Sequence, residues 1–143
     1  MSAVTNLYQQ TTLAEAAYAD FWDQVNNGLI PESLMGGKLS TEDMTTQQAT
    51  ILLATWDILD HVPNLNSGFS ATLFRSRSDP GHYTLAIRGS KQDDLAIDFR
   101  VDGALIAQDG VAVVQLVDLY NFWQRAMTPK GQNYTAARLV AND

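Results

Sequence analysis

The run Tyr83-Thr84-Leu85-Ala86-Ile87-Arg88-Gly89-Ser90 constrains the fold more than any other segment of the chain. Its aromatic, β-branched and aliphatic residues favour a pleated strand, and Gly89-Ser90 permits a tight turn at its end. Tyr83, Leu85 and Ile87 alternate with Thr84, Ala86 and Arg88, so both faces are at least partly apolar. A strand interior to a sheet, with helices packed over it, has this pattern. Residues 69–75 carry the same bias, and Ser78-Asp79-Pro80-Gly81 between the two runs predicts a β-hairpin with a Pro-Gly turn.

Helical periodicity frames this hairpin. Leu13, Ala17, Phe21 and Val25 recur at helical spacing, and Thr12 with Glu15 forms a capping-box pattern, which predicts a helix over residues 12–26 stopped at Asn26-Asn27-Gly28. Pro31 and Gly36-Gly37 then mark a loop. A second helix is expected from Ser40, with Asp43 at the capping-box position. Met44, Ile51, Leu52, Thr55, Ile58 and Leu59 form its buried face, and it ends at His61-Val62-Pro63-Asn64. Residues 91–110 are acidic and broken, and no period emerges there. A third helix is expected over residues 111–127, with Val113, Val117, Tyr120, Trp123 and Met127 on one face, and a weak last helix over 134–141. The order is two helices, a β-hairpin, then helices, with no repeat or linker, so residues 1–143 read as a single unit.

Composition narrows the function classes. With 143 residues the chain is long enough for a real core, and 45% hydrophobic against 17% charged residues is the balance of a globular domain. Nine basic residues against sixteen acidic ones give a net charge of −7, which disfavours nucleic acid and anionic lipid as partners. The absence of cysteine excludes disulfides, thiolate metal sites and cysteine nucleophiles. No apolar run approaches the ~20 residues of a membrane span, and the N-terminus lacks the pattern of a secretory signal.

Four segments together resemble the class 3 lipases and their bacterial phospholipase and esterase relatives. They are Leu13-Ala14-Glu15-Ala16-Ala17-Tyr18-Ala19-Asp20-Phe21, Leu85-Ala86-Ile87-Arg88-Gly89-Ser90, Asp94-Leu95-Ala96-Ile97-Asp98 and Gln115-Leu116-Val117-Asp118-Leu119-Tyr120-Asn121-Phe122-Trp123. The resemblance implies an α/β class, the N-terminal portion of an α/β-hydrolase fold. It implies that Ser90 offers its backbone N–H to an oxyanion, as Arg88-Gly89-Ser90 matches the family's Arg-Gly-Ser/Thr. A donor so placed is worth about 2.7–4 kcal/mol. Gly89 and Leu95 are the implied substrate-contacting residues, and 91–98 lies where family members carry a lid or lid hinge, followed by Asp98. The bacterial relatives often act outside the cell.

The family's nucleophile is a serine in GxSxG, followed by an acid and then a histidine. No serine here has that setting, and His61 and His82 both precede Ser90. The chain is therefore expected to be inactive alone and to act on an ester or lipid once a second polypeptide segment, or another copy, docks at an open sheet edge. No cofactor is expected, and no metal, because Asp93, Asp94 and Asp98 lack a glycine-punctuated calcium loop. The alternative is a small stand-alone α+β domain acting as a non-enzymatic interaction module.

Overall fold

A computed structural model describes residues 2–42, 44–63, 65, 67–88 and 113–136. The fold is mixed α and β, and the described residues form four helices and two small antiparallel sheets. The chain clusters into two compact units, one of residues 1–63 and 70–89, the other of residues 64–69 and 90–143.

The first unit opens with α1, Ala3–Ala16, capped by the Ser2 hydroxyl accepting from the Thr5 N–H. This helix starts earlier and stops sooner than the spacing of Leu13, Ala17, Phe21 and Val25 predicts. Thr12 is no cap: its hydroxyl donates to the Tyr8 carbonyl one turn back. The helix ends because Tyr18 and Ala19 take the tighter bonds to Glu15 and Ala16, and the Asp20 carboxylate then accepts the Trp22 N–H. Leu13, Ala17 and Phe21 are all core residues nonetheless, while Val25 is 92% exposed. Val25 sits at the tip of a short hairpin, β1 (Trp22–Asp23) with β2 (Gly28–Leu29). Asn27 there takes φ of 50°, so the left-handed residue legible in Asn26-Asn27-Gly28 serves a hairpin rather than a helix stop.

Where a loop is expected, α2 runs over Glu32–Ser40 behind Pro31, with both Gly36 and Gly37 helical. Proline suits a helix start, and a β-carbon on Gly36 would meet Leu53 at an ordinary packing distance of 3.7 Å while one on Gly37 would meet nothing, so the packing demands neither glycine. That helix, α3 (Thr46–Thr55), begins at Thr45 with a full capping box to Gln48, later than Ser40. Asp43 lies outside the described residues.

The largest departure follows. The second helix is expected to run on to His61, but at Trp56 the backbone turns extended and residues Trp56–Val62 form strand β3. It pairs with β4 (Ala71–Ser76), which pairs with β5 (Tyr83–Ile87), in the order β3-β4-β5. The hairpin of β4 and β5 stands where the sequence puts it. A bulge between Ile58 and Asp60 breaks the alternation of β3, which hides its strand character from a period-2 reading. The hairpin's second strand is an edge, not an interior strand, among the described residues. Ala86 is buried on the inner face, whereas Tyr83 and Ile87 are 55% and 51% exposed on the outer one. Trp56, Ile58 and Phe74 join Leu13, Phe21, Leu39 and Leu52 in one core between sheet and helices.

In the second unit α4, Val113–Met127, matches the third expected helix. Its N-terminal turns hold the 65–69 loop: Asp118 accepts from the Ser67 hydroxyl, and the Gln115 amide donates to the Ser67 carbonyl at 3.1 Å. Gly68, at φ of 82°, makes that loop possible. Phe122 is the buried aromatic of α4, while Tyr120, Trp123 and Met127, expected on the buried face, are exposed with Leu116. Apolar residues surround this helix on more than one side, so spacing alone could not choose its inner face. Of the expected last helix, residues 134–136 are irregular and 137–141 lie outside the described residues. No described helix is long and apolar enough to cross a membrane.

Candidate functional site

Ser90, Gly89 and Leu95 lie outside the described residues, as do the 91–98 segment and Asp98. The approach to them is described: β5 ends at Ile87, and the Arg88 N–H donates to the Ser70 carbonyl at 2.9 Å. The strand is thus held by the sheet up to the residue before Gly89.

Within the first unit the described chemistry gathers at His61. The bulge at Leu59 shifts the pleat by one, so His61 faces inward opposite Thr72, on the same face as Ile58 and Phe74. Only 2% of His61 is exposed. Its Nδ1 lies 2.9 Å from the Thr72 hydroxyl, its Nε2 lies 3.4 Å from an Asp20 carboxylate oxygen, and the Phe21 ring meets it edge-on at 5.5 Å. Burial is the chief cause that pushes its pKa down to about 4, against the upward pull of Asp20 and Asp60, and the nearby Arg88 charge adds to the fall. The ring is therefore neutral near pH 7. Nε2–H donates toward Asp20, and Nδ1 accepts from the Thr72 hydroxyl.

Carboxylate, imidazole and hydroxyl in line imitate a hydrolytic triad. Thr72 is fully buried at mid-strand, however, and no substrate carbonyl can reach it. The cluster is a polar relay that runs from the exposed Asp20 carboxylate through His61 to the buried Thr72. His61, expected at a helix C-terminus, is a buried strand residue instead. His82 is exposed beside the β4–β5 turn, edge-on to Trp56 at 5.7 Å. Buried serines are likewise committed: Ser70 donates to the Val62 carbonyl and Ser76 bonds Ser78. Among the described residues no group of three metal-ligating side chains could hold a cation.

One groove of about 220 Å³ lies between α1 and α3. Every residue along it is uncharged, from Thr5 and Tyr8 on α1 to Ile51 and Trp56 at the other wall. Its threonine hydroxyls are spent internally, Thr5 on Ser2, Thr12 on the Tyr8 carbonyl and Thr55 on the Ile51 carbonyl, and the Gln48 carbonyl oxygen is spent on Thr45. What remains is largely carbon. Charge gathers elsewhere in the unit: Arg77 bridges Glu32 of α2 and Asp57 of β3 at 2.6 and 2.9 Å, and Arg75 reaches the same Asp57 at 2.9 Å.

Comparison with protein-family models, with curated proteins and with solved structures gives no match to this chain.

Proposed function

We propose that this chain is the N-terminal part of a carboxylic ester hydrolase of lipase or esterase type, supplying the oxyanion turn at Ser90. The catalytic serine, acid and histidine lie downstream or on another chain. The observation that carries the reading is the place of β5 at the edge of the sheet formed by the described residues. Among the described residues β5 pairs with β4 alone, and the face bearing Tyr83, Leu85 and Ile87 is apolar yet partly open to water. A hydrolase sheet continued by further strands and covered by helices would use both. On α4 the exposed Leu116, Tyr120, Trp123 and Met127 recur at helical spacing and would likewise be covered.

In the mechanism so proposed, a serine outside this chain attacks the ester carbonyl, and the Ser90 N–H, aimed by the end of β5, stabilises the tetrahedral oxyanion. The described residues hold no accessible hydroxyl paired with an imidazole, so they are not expected to turn over esters. The test is a short-chain chromogenic ester added to this chain alone and to this chain joined with a segment bearing the GxSxG elbow. Turnover only in the joined form is expected. Ser90→Pro, which removes the N–H, should then lower kcat about 10²–10³-fold with little change in KM, and Ser90→Ala, which keeps it, far less. Turnover by the chain alone would overturn the reading.

A second reading, a non-enzymatic α+β interaction module, draws on the uncharged groove between α1 and α3. It predicts a chain that unfolds cooperatively as a monomer in sedimentation and denaturant experiments, with no ester turnover in any combination.

A further inference from the structure

His61 stands where the 20–30 segment joins the sheet of the first unit. Asp20 and Phe21 reach it from that segment, Thr72 from β4 and Asp60 from its own strand, and Arg88, just past β5, acts on it through its charge. Of these, Asp20 is on the water side, its carboxylate 56% exposed, while Thr72 is fully buried. An imidazolium formed here cannot gain water through the sheet, since β3 is tied to β4 along six register pairs. It can gain water where Asp20 and Phe21 cover it. That cover is short: β1 and β2 have two residues each and the tip at 24–27 is exposed, with Phe21 and Ile30 as its anchors in the core.

We propose that His61 is an acid-released latch, whose protonation frees the 20–30 segment from the sheet while β3, β4 and β5 stay paired. The attraction of Asp20 and Asp60 for the imidazolium opposes release, and burial together with Arg88 favours it. Burial is the larger influence. The latch does not rest on the ester-hydrolase reading: Arg88, the first residue of the Arg88-Gly89-Ser90 motif, acts on His61 only through its charge, and its test involves no ester turnover.

The released state leaves His61 near its ordinary pKa of 6.5, against about 4 when latched. Opening should therefore be about 20-fold more frequent at pH 5 than at pH 7. Native-state hydrogen exchange on the full chain, corrected for intrinsic rates, reads this at the Ile30 N–H, which donates to the Phe21 carbonyl at 2.9 Å. The Ser76 N–H, bonded to the His82 carbonyl at 2.9 Å, reports the sheet. Global unfolding uncovers His61 as well, so protection falls at both amides as pH drops; the expected result is Ile30 less protected than Ser76 at every pH, a fall of that size at Ile30, and a flat Ile30 profile in His61→Gln. Equal protection at Ile30 and Ser76 across the pH range, which would mean that Ile30 exchanges only by global unfolding, or an unchanged Ile30 pH profile in His61→Gln, would overturn the latch. Should His61→Gln fail to fold, the ring titration of His61 in the unaltered protein decides. A midpoint below 5 tracking Ile30 opening supports the latch, and a midpoint near 6.5 with Ile30 protection constant refutes it.

Discussion

At the scale of single residues, one extra residue in β3 sets the chemistry of the core. Without the bulge at Leu59, Asp60 would face inward and His61 outward, so an aspartate would replace the imidazole opposite Thr72. Because His61 is buried and its pKa depressed to about 4, the unfolded chain binds the additional proton between pH 6.5 and 4. Stability is accordingly full above pH 6.5, falls as pH drops through that window by roughly 3 kcal/mol, and levels off on this account below 4. Urea midpoints at pH 7.5, 6, 5 and 4 check this, and His61→Gln should remove that component of the slope. Thr72→Val would leave the His61 Nδ1 buried without its donor and should cost about 1–3 kcal/mol in the same assay at pH 7.5, whereas Thr72→Ser should cost less.

At the scale of elements, the sequence was most informative where one physical signal spoke alone. The β4–β5 hairpin and α4 were legible because strand-forming residues flank a Pro-Gly turn, and because α4 has a sustained helical period ended by Thr128-Pro129. Two overlapping signals misled elsewhere. Apolar spacing at Leu13, Ala17 and Phe21 continues past α1 because all three enter one core, the first two from the helix and its end, the third from extended chain. Trp56, Ile58 and Leu59 read as a prolonged helical face because the bulge breaks strand alternation at Leu59. The true start of α3 is marked by Thr45 with Gln48, a pattern masked by the similar one of Ser40 with Asp43 just before it. Thr45→Ala should cost about 1 kcal/mol in thermal or urea unfolding, and Ser40→Ala, whose hydroxyl only donates to the Gly36 carbonyl, appreciably less.

At the scale of the whole molecule, the proposed oxyanion turn was visible as a short motif, but motif and geometry are different kinds of evidence. Arg88-Gly89-Ser90 can be read in the sequence, whereas the open outer face of β5 could not, since alternation says which residues share a face and not what covers it. The His61 relay was illegible for a related reason: Asp20, His61 and Thr72 are far apart in sequence, and only the register of β3 on β4 brings them together. The groove between α1 and α3 has a consequence for how any guest would respond to its solution. The chain carries a net charge of −7, but α3 has no charged residue and α1 has only Glu15, outside the groove's lining. Ionic screening, which acts over about 8 Å at physiological salt, has little to screen there. Affinity for a neutral apolar guest should stay level from low to high sodium chloride and rise in sulfate, and a titration monitored through Trp56 fluorescence at several salt concentrations would read a surface blind to mobile ions on an otherwise anionic protein.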